Sequence, residues 1–228
     1  MNEARIEALG DRAILIRLGA SIDAQLNTRA VMLAESVRAA LLPGVIDVAP
    51  AYASVCVRYD PAAWINAADS PCAELSARLS GIVERVAATA PGAGAEIEIP
   101  VSYGGEHGPD LAAVAQHARL APEEVIARHC AGEYRVAMLG FAPGFPYLLG
   151  LDAALQVPRR ADPRTRVPAG SVAIGGAQTG IYPRELPGGW QIIGRTPLEL
   201  FDAGRDPAAL LAPGMRVRFR RIAAREFA

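Results

Sequence analysis

Residues 167–197 read VPAGSVAIGGAQTGIYPRELPGGWQIIGRTP, a stretch in which short apolar runs alternate with glycine and proline. The same pattern extends back to Gly140, and between that residue and Pro197 the chain has 10 glycines and 8 prolines. Short β-prone runs separated by frequent turns are typical of an antiparallel barrel or sandwich. We therefore predict a mainly-β second domain over residues 97–228.

Other apolar runs on both sides of this stretch extend the pattern. Strands are predicted at Val136–Leu139, Ser171–Ile174, Trp190–Ile193, Leu198–Phe201 and Val217–Phe219. Two short helical patterns precede all of these strands, one over Leu111–Leu120 and one that begins at Pro122 and ends near His129. Pro100–Gly108 is predicted as a linker.

The first part of the chain alternates between strand and helix patterns. Ser21 and Asp23 offer N-caps for a first helix, and Gly10-Asp11 suggests a turn after a strand around Ile6. The other predicted elements are a strand at Ala13–Arg17, a helix over Leu26–Leu41, a hairpin of Val45–Ala49 and Ser54–Tyr59, a helix capped by Ser70-Pro71, and a strand at Glu96–Val101. The resulting β-α-β-β-α-β order is that of the split βαβ fold. We predict an α+β, ferredoxin-like domain over residues 1–96.

The composition excludes several kinds of chemistry. All 23 basic residues are arginine, so a Walker-A phosphate loop, a Schiff-base or pyridoxal-phosphate lysine and a biotin-carrying lysine are impossible. The net charge of -1 favours neither nucleic acid nor an anionic membrane as a partner. An anion held by a cationic side chain must be held by arginine.

Other absences in the sequence point to the compartment. No run of apolar residues is long enough to span a membrane, and the N-terminal segment lacks an apolar signal core. The three cysteines are scattered, without a CxxC pair, and the three histidines are dispersed. We therefore expect a cytoplasmic protein with reduced cysteines and no metal site.

Arginines are concentrated in the glycine- and proline-rich stretch, which predicts a site for a small anion such as a carboxylate or phosphate. They are Arg159, Arg160, Arg164, Arg166, Arg184 and Arg195, against Asp152, Asp162 and Glu185. Each arginine taken singly also fits a solvated surface position. Phe145, Tyr182 and Trp190 fit either the wall of a pocket or the filling of a barrel.

Three further polar residues are candidates for the same site. Gln178 and Thr179 lie between glycines, where an amide and a hydroxyl can contact a ligand or complete a turn. His129 is the candidate general base by its chemistry. With no acidic partner visible in the sequence, a structural role for His129 stays open.

Long, ordered motifs then indicate a family. They are GFAPGFPYL at 140–148, PRR at 158–160, VPAGSV at 167–172, QTGIYP at 178–183 and PGGWQIIGRTP at 187–197. These motifs resemble the carboxyltransferase-domain family (subdomains C and D), which contains the B subunit of 5-oxoprolinase, allophanate hydrolase subunit 1 and a sporulation-kinase inhibitor. The resemblance extends over essentially the whole chain.

The resemblance implies a cyclophilin-like barrel behind a smaller α+β domain. It implies action with a homologous C subunit and with an A subunit in an ATP-dependent 5-oxoprolinase, which opens 5-oxo-L-proline to L-glutamate. ATP is then used by the complex, and the chain alone is expected to be inactive. Cys130 stands where many members have serine, which argues against a cysteine nucleophile.

The residues and the resemblance together give a site hypothesis. His129, Arg160, Gln178, Thr179 and Tyr182 are expected to line one shared pocket. Arg160 is the expected anion clamp and His129 the expected proton-transfer group, while the remaining substrate-binding candidates shape the wall. Those are Phe145, Pro146 and Trp190.

Three other functions remain open. The alternatives are a regulatory inhibitor of a sensor histidine kinase, a component of an allophanate or urea pathway enzyme, and, by fold analogy alone, a peptidyl-prolyl isomerase.

Overall fold

The computed structural model describes residues 4–65, 69–87 and 94–227. The chain divides into two compact units, residues 1–93 and residues 94–228. The first unit contains β1 (Arg5–Ala8), β2 (Ala13–Arg17), α1 (Ala24–Ala39), β3 (Val45–Ala51), β4 (Ser54–Tyr59) and α2 (Pro71–Ala87). No helix among these residues or in the described part of the second unit is long and apolar enough to cross a membrane.

The second unit contains two helices and the remaining strands. They are β5 (Glu96–Tyr103), α3 (Leu111–Ala118), α4 (Pro122–Ala131), β6 (Tyr134–Leu139), β7 (Pro146–Leu149), β8 (Arg164–Val167), β9 (Ser171–Gly175), β10 (Gln178–Ile181), β11 (Leu186–Gly188), β12 (Gln191–Arg195) and β13 (Arg216–Arg221).

The first unit is a four-stranded antiparallel sheet with the strand order β1-β2-β4-β3. Strand β2 alternates as its sequence predicts, with Ile14 and Ile16 buried and Arg17 exposed. The Asp23 carboxylate accepts the backbone N–H groups of Gln25 and Leu26, so it is the N-cap that begins α1. Helices α1 and α2 bury their apolar stripes in the same core as the sheet.

One strand of the predicted first domain belongs to the second unit. Strand β5, predicted as the last strand of the ferredoxin-like domain, pairs in parallel with β13 and antiparallel with β12. These pairings bury Ile99 and Val101 in the core of the second unit. The edge position beside β2 is taken instead by β1, which the Gly10-Asp11 turn brings back against it.

The second unit is built around a closed barrel of seven strands in the order β10-β7-β6-β13-β5-β12-β9, and β8 and β11 form a separate two-stranded sheet. Apart from the parallel pair of β5 and β13, neighbouring strands of the barrel are antiparallel. The predicted α+β chain with a mainly-β second half is therefore confirmed at this level.

Two predictions for this half are wrong. The Pro100–Gly108 linker is occupied over its first residues by β5, which ends at Tyr103. Leu198–Phe201 is not a strand; Leu200 is buried in the core, and Phe201 makes only an isolated bridge to Ala209. The first segment continues a strand through its pairing with β12 and β13, whereas the apolar residues of the second reflect burial, which does not by itself define a strand.

Candidate functional site

A cavity of about 200 Å³ lies in the barrel unit and is walled by aromatic rings. We call it the aromatic cavity. Its lining residues are Phe141, Phe145, Tyr147, Arg159, Arg160, Pro163, Tyr182, Pro187, Gly188, Gly189 and Trp190. A mainly apolar wall with a few polar groups is the common form of a small-molecule site.

The aromatic rings of the cavity meet edge to face. The Phe145 ring centroid lies 5.2 Å from that of Tyr182 and 5.7 Å from that of Trp190, with the rings nearly perpendicular. Such contacts are the preferred geometry of aromatic pairs and fix the rings of the wall. Gly175 makes room for them, because a Cβ at that position would lie 2.6 Å from the Trp190 ring.

Phe141 lies at the rim of the cavity in an unusual conformation. Its side chain is 60% exposed, and its backbone has a φ of 68°, in the left-handed region that favours glycine. Its ring meets Phe145 edge to face at 5.4 Å. A large aromatic residue in a strained backbone conformation beside a cavity is typical of a binding site.

The Tyr182 hydroxyl is held in place from two sides. Burial raises the pKa of Tyr182, while a hydrogen bond donated by the backbone N–H of Trp190 works in the opposite direction. On the other side, a Cβ at Gly188 would lie 2.1 Å from the Tyr182 Oη. Strand β11 therefore approaches this hydroxyl so closely that only glycine fits.

A buried ion cluster stands beside the cavity, centred on Asp110. The side chain of Asp110 is 6% exposed and accepts two hydrogen bonds of 2.8 Å from Arg164, one on each oxygen. It also accepts the backbone N–H of Ile192 at 2.7 Å and Nη1 of Arg160 at 3.3 Å. All four donors belong to the protein, so the negative charge of Asp110 is compensated without a bound ligand.

A second polar cluster, centred on His129, is sealed inside the same unit. The Nδ1 of His129 lies 2.8 Å from the Tyr103 hydroxyl, and its Nε2 lies 3.1 Å from the Thr179 hydroxyl. Because Thr179 donates its own proton to the Ala173 carbonyl at 3.0 Å, it must accept from Nε2–H of His129. The neutral imidazole then accepts from Tyr103 at Nδ1.

His129 is fully buried, and burial lowers its pKa to about 3. Burial likewise raises the pKa of Tyr103 well above its ordinary value. Both groups are therefore uncharged at neutral pH.

The single pocket expected from the sequence is divided in two. Phe145, Arg160, Tyr182 and Trp190 lie together in the wall of the aromatic cavity, whereas His129 and Thr179 are joined in the sealed cluster. The other two predicted site residues are in strands: Pro146 begins β7 opposite Leu139, and Gln178 begins β10 opposite Gly175. The structure does not bring His129 to the cavity wall, because its ring nitrogens are turned to Tyr103 and Thr179.

Sequence reasoning missed Asp110 and Tyr103 and did not single out Arg159 among the arginines. Asp110 precedes α3 in the position of an N-cap, yet its side chain makes no capping hydrogen bond. Its partners follow about 50 residues later in the chain, and no local pattern shows that pairing. Tyr103 lies in the segment predicted as a linker, where a buried partner for His129 is not expected.

Comparisons with known proteins agree with the motifs. The family described as "Carboxyltransferase domain, subdomain C and D" matches residues 4–211. The B subunit of 5-oxoprolinase from Bacillus subtilis (strain 168) is 43% identical over 231 residues, which covers 98% of this chain and 95% of the relative. The B subunit of 5-oxoprolinase from Escherichia coli O157:H7 is 43% identical over 219 residues, which covers 96% of each chain.

A solved structure supports the same assignment at the level of the fold. The crystal structure of TTHA0988 superposes with a TM-score of 0.80 at 38% identity and covers 93% of this chain. This chain covers only 40% of TTHA0988, so most of that longer protein lies outside the match. With the family match over nearly its full length, the chain belongs to the carboxyltransferase domain family, subdomains C and D.

Proposed function

We propose that this chain is the B subunit of an ATP-dependent 5-oxoprolinase, which opens 5-oxo-L-proline to L-glutamate. The observation that carries the proposal is the 43% identity, over at least 95% of both chains, to two proteins named as the B subunit of 5-oxoprolinase. Its partners in the complex are a homologous C subunit and an A subunit. The cyclophilin-like character of the barrel remains a prediction of the resemblance, and a cytoplasmic location remains a prediction from the sequence composition.

The aromatic cavity has the chemistry that this substrate requires. 5-Oxo-L-proline is a small, nearly flat ring with one carboxylate, and the cavity combines aromatic walls with the guanidinium groups of Arg159 and Arg160 at its edge. Arginine forms strong, directional hydrogen bonds with carboxylates, and aromatic faces accept flat rings. These features support binding of the substrate by this chain.

We propose a positioning role for His129 in place of proton transfer. A sealed imidazole with a pKa of about 3 is neutral and lies away from the cavity wall. Its Nε2–H holds Thr179 on β10, one residue from Gly180, and a Cβ at Gly180 would lie 3.1 Å from the Phe145 ring of the cavity. His129 thus acts on the cavity through β10.

ATP belongs to the complex as a whole in this proposal. A cavity of about 200 Å³ is smaller than the ~300–1,000 Å³ of ordinary ligand pockets and fits a single small ring better than a nucleotide. TTHA0988, in which this kind of domain is part of a much longer chain, supports the view that the domain works beside further protein.

The substrate is tested in the assembled complex. The purified chain and the A and C subunits are mixed with ATP, and L-glutamate release from 5-oxo-L-proline is compared with ammonia release from allophanate. We expect glutamate release that requires all three proteins and no turnover of allophanate. Turnover of allophanate without turnover of 5-oxo-L-proline would reassign the chain to the urea pathway.

A further inference from the structure

The arginines around the aromatic cavity are not equivalent, because most of them are already paired. Both terminal nitrogens of Arg164 donate hydrogen bonds to Asp110. Arg160 donates from Nη1 to Asp110 and from Nε to the Asp162 carbonyl. Farther away, Arg166 is paired with Glu185 through two hydrogen bonds. A paired guanidinium has fewer donors left for a ligand.

Arg159 differs from these three. Within the parts of the chain that the structure describes, its guanidinium takes part in no ion pair with a carboxylate. Its Cζ lies 5.7 Å from the centroid of the Trp190 ring, so the cation rests over the cavity's aromatic wall. Burial raises the pKa of Tyr147 and of Tyr182 in the cavity wall, and the positive charge of Arg159 acts in the opposite direction on both.

The backbone around Arg159 is fixed from both sides. The Pro158 carbonyl accepts a hydrogen bond of 3.1 Å from Gln191 Nε2, and the Arg160 N–H donates to the Gly189 carbonyl at 2.7 Å. Arg159 is thus anchored next to Trp190, while its side chain is free of carboxylate partners in the described structure. This arrangement holds the Arg159 guanidinium over the aromatic wall of the cavity, where its positive charge is available to a ligand.

The local charge balance also favours an anion. Arg160 and Arg164 pair with the one carboxylate of Asp110, and the guanidinium of Arg159 lines the same cavity as that of Arg160. Asp110 is saturated by four hydrogen bonds, so it does not compete for Arg159. Three positive charges and one negative charge leave a net charge of +2 among these four groups, so a small anion bound at this edge is compensated by arginine.

We propose that Arg159, rather than Arg160, is the residue that binds the carboxylate of a small cyclic acid in the aromatic cavity. Arg160 and Arg164 then hold Asp110 and the cavity edge in place. The ring of the ligand lies against the aromatic wall, and the size of the cavity restricts the ligand to a single small ring. This inference rests on the proposed function and deepens it, because it names the group that distinguishes 5-oxo-L-proline from its neutral amide.

The test uses the full-length chain and four probes in calorimetric titrations. The probes are 5-oxo-L-proline, its uncharged carboxamide, cyclopentanecarboxylate, which keeps the ring and the charge but lacks the lactam, and ATP. We expect both acids to bind, the carboxamide to bind at least about tenfold more weakly than the acids, and ATP not to displace cyclopentanecarboxylate.

Matched variants assign the charge to one residue. Arg159→Met keeps most of the apolar stem and is expected to weaken both acids about tenfold or more, while Arg159→Lys retains part of the affinity because it keeps the charge. Arg166→Met, from an exposed arginine of the same stretch, is expected to bind like the unmodified chain. Thermal unfolding of each variant checks that the fold is kept.

Several outcomes overturn the inference. They are equal binding of acid and carboxamide, an Arg159→Met variant that binds like Arg166→Met, displacement of the ring acid by ATP, or no binding of either acid to the chain. The proposed function fails separately, since it is judged by glutamate release in the complex. Cyclopentanecarboxylate binding through Arg159 stands even if the complex does not turn over 5-oxo-L-proline.

Discussion

At the scale of single residues, the barrel unit separates a neutral polar cluster from a charged one. His129 is uncharged because no carboxylate among the described residues compensates for its burial, whereas Asp110 stays paired with arginines. Burial without a charge partner favours the neutral form of a group, and burial beside an opposite charge favours the ionised form. Each cluster therefore makes a distinct prediction for stability.

His129 predicts that the protein loses stability as the pH falls. Its folded pKa of about 3 lies below the value near 6.5 of an unfolded chain, so below pH 6.5 only the unfolded state takes up the proton. The free energy of unfolding is expected to fall by up to about 1.4 kcal/mol per pH unit below pH 6.5. Urea unfolding between pH 7 and pH 5 measures this slope.

A matched pair of variants isolates the contribution of His129. His129→Gln removes the titrating group and is expected to flatten the slope, although it lowers stability at pH 7. His117→Gln, at an exposed histidine, should leave the slope as it is. An unchanged slope in His129→Gln would show that the pH dependence has another origin.

A conservative substitution of Asp110 is expected to lower the free energy of unfolding substantially. Asp110→Asn keeps the size of the side chain but leaves Arg164, whose side chain is 24% exposed, without its anion. Breaking a buried pair in this way is expected to cost about 3 kcal/mol of unfolding free energy. Glu185→Gln, in the exposed pair with Arg166, serves as the control and should cost about 1 kcal/mol or less. Similar losses in the two variants would refute a structural role for the Asp110 cluster.

At the scale of elements, strand β11 and the segment after it shape the cavity through their glycines. Gly188 lies so close to Tyr182 that a methyl group must displace the phenol, whose residue is 2% exposed and has little room to move. At Gly189, the next residue, an added Cβ would make only an ordinary contact, at 3.5 Å from Pro163 Cγ. A methyl group is therefore expected to disturb the packing at Gly188 but not at Gly189.

Gly188→Ala is expected to weaken binding of 5-oxo-L-proline and to cost about 1–3 kcal/mol of stability, because an overpacked site forces side chains from their positions. Gly189→Ala should bind and unfold nearly as the unmodified chain does. Calorimetric titration and urea unfolding measure both effects. If Gly189→Ala were the more damaging change, the close approach of β11 to Tyr182 would not be what shapes the cavity.

Local signals predicted the elements whose cause is local. The Asp23 and Ser70 caps mark the starts of α1 and α2, and the alternation of β2 marks its buried face. The sequence does not predict strand β10 because Gln178 and Gly180 interrupt its two β-prone residues, and the strand forms through pairing with β7 and β9.

Contacts between distant parts of the chain were not predictable in the same way. Strand β5 pairs with β13 across more than a hundred residues, so its place in the barrel cannot be read from its own pattern. The same holds for the site, in which Asp110 meets Arg164 and His129 meets Thr179. Phe145, Tyr182 and Trp190 could be proposed for one wall because all three lie in the glycine- and proline-rich stretch, although their contacts also join distant residues.

At the scale of the whole molecule, the chain combines an α+β unit with a barrel unit, and the family match extends over both. The aromatic cavity lies in the barrel unit and offers arginine and aromatic side chains. The proposed division of labour assigns substrate binding to this chain and completes the reaction with the A and C subunits.

The most direct test measures phosphate and L-glutamate in the same reaction. The A and C subunits, ATP and 5-oxo-L-proline are incubated with and without this chain, and the chain is also incubated alone. The account predicts that both products appear together only when all three proteins are present, and that the chain alone yields neither. Equal glutamate release without this chain, or none when the three proteins are combined, would contradict the account.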